Sequence, residues 1–412
     1  MKDWQDLSEQ LRKLGVKLGM PNEPHKHTKT HYPIEKVLNC SETHTLAGTI
    51  LSVKQTFDYN YAQGNTKLAP DTYFNRLLQW AKIPDKDLVS LKNLVFLDTE
   101  TTGLSSGTGT MAFMVGVGKF IDNHFLLEQF FLRNPAEEAA FLHALSLFCA
   151  DMKAVVTYNG KAFDIPILNT RHILQRIPSP FVDVYHIDLL TISRQLWRLR
   201  LTQCNLANIE RNILEFQRKG GEVTGYLAPE FYKDYLRTGD ARPLEGVFYH
   251  NQEDVVSLSA LFNKVASLLE NPKSDDLKHS NDMFSAARVF NHLQDFETAD
   301  LLYSQSLQSE TSQELFIKYL LEHAQFLRRN KAYDDALKLW IRAAELDNLE
   351  ALIQLAKHHE HKSKDFQQAQ SITLKAISIM QDDSSFTDAQ LFALFHRKKR
   401  LESKINKSKE IK

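Results

Sequence analysis

The chain has 412 residues, more than one small domain needs, and its 50 lysines and arginines balance 51 acids. A uniformly basic coat for nucleic acid is therefore excluded, and any cationic surface must be local. Cys40, Cys149 and Cys204 are odd in number and far apart, which argues against a disulfide frame or a zinc cage and for reduced thiols in the cytoplasm. No run of about 18 apolar residues occurs, and the N-terminus MKDWQDLSEQL has no apolar signal core.

Residues 1–20 read as one amphipathic helix, with Trp4, Leu7, Leu11 and Leu14 at helical spacing. The linker MPNEPHKHTKTHYP follows. Its His25, His27 and His31 have no acid or cysteine at ligand spacing and are flanked by proline, so a solvated loop outweighs a metal site. A short strand (TILSVKQTF), a turn-rich loop and a helix around FNRLLQWA fill residues 45–90 without a legible purpose.

From residue 94 three apolar, β-prone segments succeed one another: LVFLDTET, MAFMVGVGKF and HFLLEQFFL. Their brief connections predict adjacent antiparallel strands. Asn134-Pro135-Ala136-Glu137 opens a helix with an Asn cap, a proline at the first position and an acid at the third. A fourth strand (KAVVTYNG), a helix over about 164–175 and a fifth strand (PFVDVYHID) complete the pattern. The order predicts an α/β domain with helices on a mixed five-stranded sheet. Further helices occupy roughly 188–266, broken by a glycine-containing, charge-mixed loop near 218–230.

Beyond 275 only helical patterns remain. Phe296 with Ala299, Tyr333 with Ala336 and Phe366 with Ala369 recur at intervals of 37 and 33 residues, and Ser306, Ala343 and Ala376 lie seven beyond each alanine. That is the tetratricopeptide period, in which small residues let paired helices approach and an aromatic fills the gap. The expected organisation is an extension (1–90), an α/β domain (91–270), helical repeats (276–400) and a basic tail (401–412) containing KINKSK, either a nucleic-acid arm or a frayed end.

The chemistry rests on acids in apolar settings. Asp98 and Glu100 in VFLDTETTGL are two apart on a strand and so share a face. Carboxylates that close raise each other's pKa unless a cation neutralises them, and a hard ion such as Mg²⁺ or Mn²⁺ meets that need. YNGKAFDIPIL sets Asp164 among apolar residues at a helix start, and VFYHNQEDVVSL does the same for Asp254.

These three blocks, DxE, NxxxFD and an aspartate closely preceded by Tyr and His, resemble those of the DEDD 3′–5′ exonuclease superfamily. The separations of 64 residues from Glu100 to Asp164 and 90 from there to Asp254 keep the blocks in the superfamily's order. HIDLLTISRQLW, NLANIERNILEFQR and the helical repeats further resemble the bacterial YprB-type predicted exonucleases, from about residue 45 onward. The resemblance implies a ribonuclease H-like fold and a two-metal phosphodiesterase. On that pattern Asp98 bridges two Mg²⁺ or Mn²⁺ ions, Glu100 and Asp254 serve the ion that activates water, and Asp164 serves the other. It implies DNA as the substrate in a repair setting, with a helicase or other protein partner on the repeats. RNA as substrate remains the alternative, and an inactive scaffold is disfavoured because all four acids are present.

The superfamily handles its water with a tyrosine four residues before the last aspartate or a histidine five before it. Here His250 is at minus four and Tyr249 at minus five. Residues four apart share a helix face, and imidazole suits proton transfer near neutrality better than phenol, so His250 is the expected residue. Thr101, Thr102, Leu104, Asn159 and Phe163 match positions that seat the 3′-terminal nucleotide. Asp188 reads as a ligand mimic or a helix N-cap. Arg194, Arg198 and Arg200 either track phosphates or form a solvated helix face.

Overall fold

A computed structural model describes residues 32–84, 89–103, 109–218, 225–272, 277–309, 312–382 and 387–410. The helix expected over 1–20, the linker histidines and Leu104 lie outside them. Strands β1 (Cys40–Thr45), β2 (Gly48–Asp58), β5 (Leu94–Thr101), β6 (Ala112–Ile121), β7 (His124–Phe131), β8 (Ala154–Thr157) and β9 (Tyr185–Asp188) form one sheet in the order β1-β2-β7-β6-β5-β8-β9. A two-residue pair, β3 (Ala62–Gln63) and β4 (Thr66–Lys67), stands apart. The sheet is mixed as expected, but it has seven strands rather than five. The segment that read as an isolated strand, β2, pairs antiparallel with β7 from Leu51↔Phe131 to Asp58↔His124 and recruits β1 beyond it.

The three apolar segments are the antiparallel meander β5–β6–β7. Strands β8 and β9 run parallel to β5 and are reached through crossover helices α2 (Glu138–Phe148) and α3 (Asp164–Gln175). Asn134 caps the turn before α2, accepting from the Ala136 N–H at 3.0 Å. Both faces of the sheet are covered. Along β5, Val95 and Leu97 enter one core with Phe131, Phe141 and Tyr232, and Leu94 and Phe96 enter the other with Leu261 and Phe262. The two-residue period of a strand produces that division.

Helix α1 (Asn75–Trp80) belongs to the extension, and α4 (Leu189–Trp197) follows β9. Helix α5 (Ala228–Thr238) leads to α6 (Glu245–Glu270), whose 26 residues cross the sheet over β5, β6 and β7. Such a crossing needs the backbone of β6 to come close. A Cβ on Gly116 would lie 2.2 Å from Asn251 Oδ1, so only glycine fits beneath α6 there.

The rest is helical: α7 (Ser280–His292), α8 (Phe296–Ser309), α9 (Gln313–Arg329), α10 (Tyr333–Glu345), α11 (Leu349–His361), α12 (Phe366–Asp382) and α13 (Asp388–Glu410). Successive helices pack in pairs, and the recurring aromatics are the first residues of α8, α10 and α12. Ala299, Ala336, Ala369, Ser306, Ala343 and Ala376 are all buried. The aromatics themselves do not fill the gap. Phe296 and Tyr333 are 46% and 49% exposed, and they cover the seam toward the next hairpin. Phe296 lies against Phe326, Tyr333 under Lys362 and Phe366 under Lys404.

The residues expected as a basic tail continue α13 to Glu410. Arg397, Arg400 and Lys404 donate to Glu360 at 2.6, 2.7 and 2.9 Å, and the hydrogen bonds of Arg400 and Lys404, against the upward push of burial, draw its carboxyl down to about 2. One apolar core runs from the α6 face of the sheet into this helical region. Arg200 on buried Asp282 at 2.8 Å and Arg76 on Asp295 at 2.7 Å tie the two parts together. No helix among the described residues is long and apolar enough to cross a membrane.

Candidate active site

The parity that sends Leu94 and Phe96 toward α6 sends Asp98 and Glu100 to the same face, at the C-terminal end of β5. Asp164 is the first residue of α3 and is buried, and Asp254 lies on α6. Burial, then Asp254, Asp164 and Glu100 in that order, push the Asp98 carboxyl well up. Burial, Asp254 and Asp164 do the same to Glu100, and burial raises Asp164 to about 6. The four acids, from three elements far apart in the chain, therefore form one interacting cluster.

Residues that sequence reasoning missed hold this cluster. Asn251, fully buried, donates to Asp98 Oδ2 at 2.9 Å, and its Oδ1 accepts from Gln129 at 2.9 Å. Thr99 Oγ1 donates to Asp164 Oδ1. Arg218 contributes the cation: its guanidinium donates to Glu210 at 2.7 and 2.8 Å and to Asp254 Oδ1. Glu210 begins a five-residue π turn, Glu210–Leu214, is buried, and also accepts from Ser257 at 2.5 Å. A glycine inside the apolar run MAFMVGVGKF was the one signal for Asn251. Arg218 sits in the charge-mixed stretch FQRKGGE, which gave none.

Helix α6 includes both members of the Tyr-His doublet. His250 Nε2 lies 3.4 Å from Asp254 Oδ2 and 3.9 Å from Glu100 Oε1. Tyr249 lies on the side of Tyr61, whose pKa it helps to raise after burial and Glu253. Arg218 Nη1 is 3.0 Å from His250 Nδ1. A guanidinium only donates, so Nδ1 accepts, and in the neutral ring the proton resides on Nε2, facing the acids.

The other candidates are more dispersed. Thr101 Oγ1 donates to the Gly103 carbonyl at 2.8 Å, and Thr102 closes the turn by bonding both backbone groups of Met111. Asn159 adopts φ 67°, its N–H donates to Asp188 at 2.9 Å, and its residue lines a cavity of about 680 Å³. Phe163 is partly buried at the N-cap of α3. Asp188 caps α4 by accepting from the Leu190 N–H at 3.1 Å, and its charge adds to the push of burial on Asp164. Arg200 is consumed by Asp282, whereas Arg194 and Arg198 line the cavity.

The donor chemistry fits a hard divalent cation: four carboxylates in mutual repulsion, with one guanidinium to offset them. As placed, no three acid, imidazole or thiol groups among the described residues share a single ion position, because Asp98 is turned onto Asn251 and Asp254 onto Arg218. An ion shared by three of these acids would need those side chains to turn.

An RNase H superfamily sequence pattern matches residues 95–266, which span β5 to α6 and include all four acids. The uncharacterized protein YprB of Bacillus subtilis (strain 168) is 31% identical over 295 residues, 69% of this chain and 69% of YprB.

Proposed function

The chain belongs to the family of B. subtilis YprB and carries an RNase H superfamily domain, and from that premise we propose that it is a metal-dependent 3′–5′ exonuclease of the DEDD type. The superfamily makes a nuclease, and hence a nucleic-acid substrate, the coarse assignment. The observation that carries the finer one is the convergence of Asp98, Glu100, Asp164 and Asp254 at the end of β5, each of the first three with a raised pKa. Two Mg²⁺ or Mn²⁺ ions held by these acids would stabilise the attacking and departing oxygens of an in-line displacement.

The chain's own residues do the rest. Asn251 and Thr99 orient Asp98 and Asp164, and His250 handles the attacking water. Taking a proton at Nε2 requires the ring proton to move to Nδ1, so Arg218 must turn away from Nδ1 first. Tyr249 packs elsewhere. Thr101, Thr102, Asn159 and Phe163 line the approach of the 3′-terminal nucleotide, and Leu104 belongs to the same motif.

DNA in a repair setting is the favoured substrate, with RNA as the alternative. The paired helices from α7 onward are read as tetratricopeptide-like repeats that offer a surface to a helicase or another protein. Three unpaired cysteines suit a cytoplasmic enzyme.

The test uses end-labelled DNA and RNA with Mn²⁺, Mg²⁺ or chelator, alongside Asp98→Asn. Shortening from the 3′ end should require the ion and fail in the variant. Activity that survives chelator or Asp98→Asn would overturn the proposal.

A further inference from the structure

Two cavities open along α4. The first, of about 680 Å³, begins at Tyr158 and Asn159, whose motif leads to Asp164, and runs along α4. The second, of about 480 Å³, continues from α4 onto α7, where Arg288 and His292 line it. Arg194 and Arg198 line both, so the two volumes share a wall and form one path.

These arginines differ from their neighbour. Arg200 is half-buried and bonded to Asp282. Arg194 and Arg198 are exposed, lie one helical turn apart on the same face, and make no ion pair among the described residues. No carboxylate lines either cavity. The first cavity adds Asn159, Thr202, Gln203 and Asn205 as neutral hydrogen-bonding groups.

We propose that this path binds the phosphodiester backbone of a single polynucleotide strand leading away from the acids, with Arg194 and Arg198 on successive phosphates and the strand continuing onto α7 of the helical region. The proposal deepens the nuclease reading and rests on it for the position of the strand's end. Two guanidiniums without an ion pair among the described residues present positive charge along these cavities, whereas Arg288 is already held by Glu322. Neutral amides and hydroxyls beside them suit sugar and phosphate oxygens of any sequence. The helical region thereby acquires a role in holding substrate: strands long enough to reach α7 gain contacts that short ones lack.

The test measures binding in the Asp98→Asn background, so that cleavage does not consume the probe. Fluorescent oligothymidylate and oligouridylate of about 20 and about 4 nucleotides bracket the expected site size of roughly 4–16. With Arg194→Gln/Arg198→Gln, affinity for the long strands should fall about tenfold. The slope of log K against log salt should become shallower by about 1.4, as two single-strand phosphate contacts require. The short strands should bind nearly as before. His292→Glu should weaken only the long strands. All three substituted positions are exposed, so melting temperatures should match the parent.

An unchanged affinity and slope for long strands would overturn the path, and so would an equal loss for short and long ones. Competition by polyglutamate as strong as that by an oligonucleotide of equal charge would instead assign the surface to an acidic protein. Failure of the nuclease reading is separate: no cleavage by the parent with either metal, while strand binding still depends on Arg194 and Arg198.

Discussion

Replacing Asp164 by asparagine should stabilise the ion-free protein while removing its function. The side chain is 6% exposed, and burial raises its carboxyl from 3.8 to about 6. At pH 8 it is ionised in both folded and unfolded chains, so the folded state carries the full cost of the raised pKa. With each pH unit worth about 1.4 kcal/mol, that cost is about 3 kcal/mol. Asparagine removes the charge and keeps Oδ1 as acceptor for Thr99. Its new amide must find a partner, which returns about 1 kcal/mol, so a net gain of about 2 kcal/mol is expected. Thermal unfolding followed by circular dichroism in chelator should show a melting temperature several degrees above the parent. The sign with pH is fixed by the raised pKa. Between 6 and 3.8 the folded parent binds more protons than the unfolded chain, so the parent gains stability as pH falls through that window. The advantage of Asp164→Asn should therefore be largest above pH 6 and vanish near pH 4. Added Mn²⁺ should reverse the ranking, because binding at 100 times Kd contributes about 2.7 kcal/mol to the parent and less to the variant. A variant that melts at or below the parent in chelator at pH 8 would refute the argument.

Arg218→Gln strands buried Glu210 without its paired bonds and should cost about 3–5 kcal/mol in urea unfolding, while Glu210→Gln/Arg218→Gln should recover part of that loss; equal stabilities of the single and double variants would contradict the pairing. His250→Ala should slow hydrolysis by about 10²–10⁴ and Tyr249→Phe should leave the rate near the parent's, an order that a larger loss in Tyr249→Phe would invert. Gly116→Ala places a methyl 2.2 Å from Asn251 Oδ1 and should cost about 1–3 kcal/mol together with activity, measured by unfolding and end-label assays; an unaltered protein would mean that Asn251 can move without consequence.

The strand parity of β5 made Asp98 and Glu100 legible, because a period of two needs no knowledge of the rest of the fold. The apolar surroundings of Asp164 and Asp254 were legible for a similar reason: a charge among valines and leucines asks for a partner. What lies across space was not. Arg218 meets Asp254 only through the turn of the chain between them, and nothing in FQRKGGE distinguishes it from the adjoining lysine. The five-strand expectation failed on the same ground. Strand β2 pairs with β7 about 70 residues away, and its alternation could signal a strand but not its neighbour. The repeat aromatics show a related limit. Their spacing announced a helical repeat with an aromatic filling the gap, yet their half-exposed positions against a following helix depend on the next hairpin's packing.

The His250 and Tyr249 question turns on how firmly α6 is held about its own axis, and the extension supplies that hold. Consecutive side chains of NQED face different walls. Asn251 reaches down to Asp98 and Gln129 on the sheet. Gln252 accepts from Gln55 on β2 at 2.6 Å, and Glu253 accepts from Gln63 on β3 at 2.7 Å. Asp254 and His250 are then left facing Arg218 and Glu100. A rotation of the helix by one residue would carry Asn251 off the Gly116 gap and bury it against a Cβ-bearing strand, while breaking both extension contacts. The extension's strands thus do more than widen the sheet: they fix the turn of α6 that presents a histidine, rather than a tyrosine, to Asp254 and Glu100.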